Sequence, residues 1–189
     1  SKKIRDEMDA AGEIIRMPQR TPLLIGCESS YWKGAQETAD TCVVLKSVLH
    51  HMDLEAIAGQ TANGHNFAHR LAFTGKFEIL DELMYFLADD PLSPFRQGPS
   101  PGWNPDYSDT EEAFSNLVWA WLANNVLNAK TKNGKGVADV IWLSNKHWID
   151  RVKEWGAVEQ DNPRDRAKTD DPYKVARARR AETAAKARA

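Results

Sequence analysis

Apolar residues recur at three- and four-residue steps through most of the chain, and strand-type alternation is hard to find. In "GAQETADTCVVLKSVLHHM" the residues Ala39, Val43, Leu45, Val48, Leu49 and Met52 keep that spacing, which predicts a helix of about 15 residues. "KFEILDELMYFLA" is a second, with Phe77, Leu80, Leu83, Met84 and Leu87 on one stripe. "DTEEAFSNLVWAWLANNVL" is a third; Asp109 reads as its N-cap, and Glu111 and Glu112 sit in its first turn, where carboxylates oppose the helix dipole favourably. "KHWIDRVKEWGA" is a fourth and ends at Gly156, a natural position for a residue just past a helix.

Between the second and third helices, "DDPLSPFRQGPSPGWNPDYSD" carries five prolines and two glycines, which exclude a regular helix and predict a long loop. Loops of that length in compact domains are usually functional or mobile. Residues 1–19 are charged, with Ile4, Met8, Ala11, Ile14 and Ile15 at helical spacing, so a short amphipathic helix is expected before Pro18. After residue 158 the composition turns polar, and "KVARARRAETAAKARA" carries Lys174, Arg177, Arg179, Arg180, Lys186 and Arg188 against a single Glu182. The pattern divides the chain into a charged N-terminal helix (1–19), a helical domain (20–158), and a linker with a basic, Ala-rich arm (159–189).

The 189 residues carry a net charge of −2, so the molecule as a whole is no polyanion binder; nucleic acid is expected at most as a weak contact of the basic tail. Cys27 and Cys42 belong to no CxxC or His/Cys cluster and read as reduced and buried. No apolar run approaches the roughly 18 to 20 residues of a membrane span, and the first residues have no apolar core of a signal peptide. A soluble, intracellular protein without membrane contact is the expectation.

Chemistry-bearing residues are few. His65 and His69 lie four apart, on one face of a helix, but a metal site needs three or four ligands, and no Cys or H-E-x-x-H order accompanies them. His50, His51 and Asp53 end the first long helix, where histidines interact favourably with the dipole. Cys27 follows an apolar stretch, which favours an inert thiol over a nucleophile. There is no GxGxxG after a strand and no GxxxxGK[ST], so no nucleotide cradle is expected, and no metal or cofactor. Trp119 and Trp121, two apart, cannot share a helix face; Trp103, in the Pro-rich loop, is the outward-facing candidate.

One internal repeat stands out. "KNGKGVADVIWLSNKHWIDRVKEWGA" aligns under "ANGHNFAHRLAFTGKFEILDELMYFLA": each opens with Asn-Gly, then a short helix, a turn and a second helix. Gly64 and Gly134 stand 70 positions apart, twice a unit of about 35 residues. Here the sequence resembles the ankyrin repeat family. Gly64, Ala68, His69, Ala72 and Gly75 sit close to its pattern, with Asn66 and Phe67 in the Thr-Pro slots. Asn128, Ala129, Lys132, Asn133, Gly134, Ala138 and Asp139 match a later copy, Asp139 taking the His slot. Thr21, Pro22 and Leu23 open an earlier copy, and a degenerate middle copy is expected between about 93 and 127, its second helix the Trp-rich one.

The resemblance implies an all-α, short ankyrin-like solenoid of about four units, with a long Pro-rich loop and charged terminal extensions. It implies a non-enzymatic scaffold that binds a protein partner through its turns and first helices, with His69 bridging backbone groups of neighbouring turns. Candidate partner-binding residues are His65, Arg70, Phe73, Trp103, Lys132, Lys135 and Trp142, joined by Arg177, Arg179 and Arg180 of the tail. Two alternatives stand beside it: a structural component of a large homo- or hetero-assembly, for example a viral particle, held by its terminal arms; and an enzyme using Cys27 or a histidine.

Overall fold

A computed structural model describes residues 22–28, 35–98, 103 and 110–160. Among them the regular structure is helical, with no β-strand, so the chain is all-α there. The elements are α1 (Pro22–Glu28), α2 (Ala35–His50), the short α3 (Leu54–Ile57), α4 (Phe67–Phe73), α5 (Phe77–Asp89), α6 (Glu111–Leu122), α7 (Val137–Val140) and α8 (Lys146–Glu154). Three of the four predicted helices keep close to their predicted bounds, although on α2 the buried face is Thr41, Cys42, Leu45 and Leu49, with Ala39 and Val43 of the predicted stripe exposed. On α5, Leu80, Leu83, Met84 and Leu87 are fully buried. The third helix starts one residue late: its cap is Thr110, whose hydroxyl accepts from Ala113 N–H at 3.3 Å, with Asp109 outside the described residues. The same helix ends in a wide π-type turn over Ala123–Leu127, closed by Asn128 N–H to the Ala123 carbonyl at 2.9 Å. The expected N-terminal helix and the basic arm also lie outside the described residues.

The two Asn-Gly segments fold alike. Thr61 N–H donates to the His65 carbonyl at 2.8 Å, and Thr131 N–H to the Lys135 carbonyl at 2.9 Å. The hydroxyl of each threonine accepts the amide that closes its turn, from His65 at 3.2 Å and Lys135 at 3.1 Å. The glycines hold φ +78° and +73°, a left-handed conformation that costs a residue with a Cβ about 1 kcal/mol. Each turn feeds a short helix whose third residue reaches back to cap it. Asn66 N–H meets His69 Nδ1 at 3.4 Å, and Gly136 N–H meets Asp139 Oδ2 at 2.9 Å. Gly75, at φ +68°, then lets the chain turn directly from α4 into α5.

These turns are also neighbours in space. Lys132 N–H donates to the Asn63 carbonyl at 3.0 Å, and Gln60 Nε2 bridges the Gly64 and Lys130 carbonyls at 2.6 and 3.2 Å. Helices α4 and α7 pack together behind them, with α1 on the far side of α4. A second layer follows the same order. Helix α2 packs on α5, and α8 runs beside α5: Phe77 stacks on Trp148 with ring centroids 5.1 Å apart, and Arg151 reaches Asp81 at 3.3 Å and the Tyr85 hydroxyl at 3.0 Å. Half-exposed ion pairs of this kind contribute at most about 1 kcal/mol. The buried aromatic and aliphatic contacts hold the layer.

No unit stands between the two turns, which is where the sequence places a middle copy. Residues 90–98 instead leave the end of α5, and α6 lies back against it. Ser115 bonds Asp89 at 2.7 Å, and Trp119 stacks on Trp155 at 6.0 Å, so α6 lies against the C-terminal ends of α5 and α8. The reason is local. A proline-rich segment cannot supply a first helix, and the tryptophans of α6 are held by aromatic partners away from the turns.

The close approach of the turns makes a differential prediction. A Cβ on Gly64 would sit 2.8 Å from Thr131 Cα and 3.0 Å from the Lys130 carbonyl oxygen, whereas nothing lies within 4 Å of one on Gly134. Gly64→Ala should therefore cost the backbone strain plus overpacking, about 2–4 kcal/mol, and Gly134→Ala the strain alone, about 1 kcal/mol. Chemical denaturation of both variants checks this; equal losses would show that the turns do not touch.

Candidate functional site

His69 is the hinge pin of the turn face. It is fully buried. Its Nε2 lies 3.2 Å from the Lys135 carbonyl, and its Nδ1 lies 3.4 Å from Asn66 N and 2.8 Å from Asn66 Oδ1, so both ring nitrogens are in hydrogen-bond contact. Asn66 completes the joint: its Oδ1 accepts from His69 N–H at 3.0 Å, and its Nδ2 donates to the Val126 carbonyl at 2.7 Å. One imidazole and one amide thus tie the start of α4 to the next turn and to the end of the π-type turn. Burial pushes His69 down to about 4; the Lys135 carbonyl opposes that, and His65 and Lys130 add to it.

His65 stacks on this ring, with centroids 5.8 Å apart and planes 18° from parallel. Stacked rings do not converge their lone pairs on one point, and both nitrogens of His69 are already engaged. Among the described residues no group of three or more His, Cys, Asp or Glu side chains is placed to hold a metal ion. Burial lowers the His65 pKa, and the Arg70 guanidinium lowers it further. Its Nδ1 is buried without a hydrogen-bond partner among the described residues, as is Trp142 Nε1.

The sequence-derived contact residues divide into three groups. His65, Arg70, Lys132 and Lys135 come together around the two neighbouring turns, Lys132 exposed and the other three half-buried. Phe73 closes α4 and Trp142 follows α7, at corresponding ends of two packed helices, both half-buried. Arg177, Arg179 and Arg180 lie outside the described residues.

Trp103 is the correction. It is no outward contact: it is 7 % exposed, its Nε1 donates to the Phe95 carbonyl at 3.1 Å, and its ring meets Phe95 and Phe114 edge-on at 5.0 and 5.9 Å. Its large apolar surface is better covered than wet, and the carbonyl satisfies its one polar atom. Trp121 joins the same cluster through Phe95 at 5.1 Å, so Trp119 and Trp121 do face different neighbours, and each finds aromatic cover.

Three residues of the turn face escaped the sequence reading. Gln60 bridges the turns, and Lys130, 70 positions on, supplies the carbonyl it reaches. Gln160 sits at the far edge, with its N–H on Asp139 Oδ1 at 2.8 Å and its Nε2 on the Gly134 carbonyl at 2.7 Å. The repeat offset pairs Gln60 with Lys130 and so marks both. Gln160 has no such signal. The histidines of the first long helix serve structure: His50 Nδ1 lies 2.7 Å from the Leu92 carbonyl, and Asp53 caps α3 through Ala56 N–H at 2.7 Å. Cys27 and Cys42 are buried free thiols. No helix among the described residues is long and apolar enough to cross a membrane. No family model, no curated protein and no solved structure matches the chain.

His69 gives this face a pH signature. Its folded pKa of about 4 lies below the ordinary 6.5, so the unfolded chain takes up the proton first and stability falls as pH drops through that window. Between pH 7 and pH 5 this group alone should remove about 2 kcal/mol. His69→Gln should be less stable near pH 7 and lose most of that slope. Parallel slopes for the two proteins in urea melts would contradict the buried neutral imidazole.

Proposed function

We propose that this chain is a non-catalytic protein-binding module that engages a partner through the turns at 61–65 and 131–135 and the adjoining α4 and α7, in the manner of ankyrin-like repeats. The observation that carries this reading is the joint between the turns. Two segments with the same internal hydrogen bonds are paired through Lys132 N–H and the Asn63 carbonyl, with His69 bonded across to Lys135. Such a joint aligns two short polar turns side by side on a buried helical support, which is how a rigid contact surface is presented. The exposed tips Asn63, Lys132 and Asn133 do little for the core.

The test separates this face from the terminal arms. Full-length protein, a chain ending at residue 160, and the full-length double variant Arg70→Glu/Lys132→Glu are each used to capture partners from the native source, with melting temperature as the folding control. The truncated chain should retain the partner and the double variant should lose it while staying folded. The reverse result would move the function to the arms and favour an assembly component.

A further inference from the structure

The turn face is polarised in charge. The segments QTANGHN (60–66) and KTKNGKGV (130–137) contain no Asp or Glu, and the second contributes Lys130, Lys132 and Lys135 within six positions. Arg70, on α4, sits close enough to His65 to lower its pKa, and Lys130 acts likewise on His69. Both imidazoles are therefore held neutral by burial inside a field that is already positive. Among the described residues no carboxylate pairs with any of the three lysines. Asp139 lies beneath the second turn, but it is buried and both its oxygens accept backbone N–H groups, from Gly136 and Gln160. The exposed carboxylates of the described residues lie on other elements: Asp40 on α2, Asp53 and Glu55 at α3, Glu78, Glu82 and Asp89 on α5, Glu111 and Glu112 on α6, and Asp150 and Glu154 on α8.

Resting on the binding face proposed above, we infer that its partner presents a short acidic segment of protein, whose carboxylates meet Lys130, Lys132, Lys135 and Arg70 at the paired turns. The three lysines, with no carboxylate partner among the described residues, steer and select a partner of opposite charge more than they stabilise the fold. A peptide fits better than a nucleic acid. The positive surface spans two turns only, whereas a phosphate backbone tracks a longer basic groove. The turns carry no Phe, Tyr or Trp on which a base could stack, and the one ring there, His65, is stacked on His69. The overall charge of −2 opposes an extended polyanion and leaves a local one unaffected beyond a screening length of about 10 Å.

The experiment titrates isotope-labelled full-length protein with a glutamate-rich peptide of about twelve residues and, separately, with a single-stranded oligonucleotide of matched charge, reading amide shifts. The peptide should shift the amides of 130–136 and Arg70, several-fold more weakly when salt is raised from about 50 to about 200 mM. Lys130→Gln/Lys132→Gln/Lys135→Gln should abolish the shifts with an unchanged melting temperature. Absence of shifts at the turns, shifts that survive the triple variant, or an oligonucleotide bound more than about tenfold tighter than the peptide would each overturn the inference. The native partner, captured as above, distinguishes the two readings. If the triple glutamine variant still holds it while Arg70→Glu/Lys132→Glu does not, the face binds but its partner is not acidic. If both variants hold it, the binding face itself is wrong.

Discussion

The hydrogen bond from Lys132 N–H to the Asn63 carbonyl is an ordinary one, worth about 1 kcal/mol by itself. Its position makes it consequential. It can form only if Gly64 has no side chain, since a Cβ there would run into Thr131. It aligns the turns so that one nitrogen of the His69 imidazole reaches the Lys135 carbonyl while the other meets Asn66 at the start of α4. Helices α4 and α7 come together behind it, and α5 and α8 beside them. Most of the stabilisation comes from the buried apolar residues, but the seam decides which surfaces are buried against which.

The chemistry at the seam is that of a brace. A fully buried imidazole with both nitrogens committed and a depressed pKa has no proton to trade near neutral pH and no lone pair to offer a metal. His65 stacks on it and stays neutral for related reasons. The paired histidines that look like a ligand set in the sequence therefore form one rigid wall, and the charge of the face comes from Arg70 and the lysines around it.

Helical periodicity carried most of the fold in the sequence, because stripe and core are one property seen twice: Leu80, Leu83, Met84 and Leu87 are legible and buried. The turns at Asn63 and Asn133 were legible because glycine at positive φ and a returning cap residue leave a local mark. What was illegible is non-local. Trp103 reads as an exposed loop residue because nothing near it in sequence shows that Phe95 and Phe114 will enclose it. The excursion over 90–127 was misread for a related reason. A period of 70 counts residues, and residues that leave and return add to the count without adding a layer between the turns. Thr110 displacing Asp109 as a cap is the usual ambiguity of one position at a helix start.

That excursion also bears on how the molecule assembles in time. All-helical chains rich in contacts close in sequence fold fast. Here the seam joins groups 66 to 70 positions apart, so the chain must close a long loop before the joint rewards it. Helix α6 returns to the end of α5, where Ser115 meets Asp89 and Trp121 meets Phe95. Val126, just past α6, accepts from Asn66 Nδ2 at 2.7 Å, so the stretch that separates the turns in sequence is itself tied into their joint.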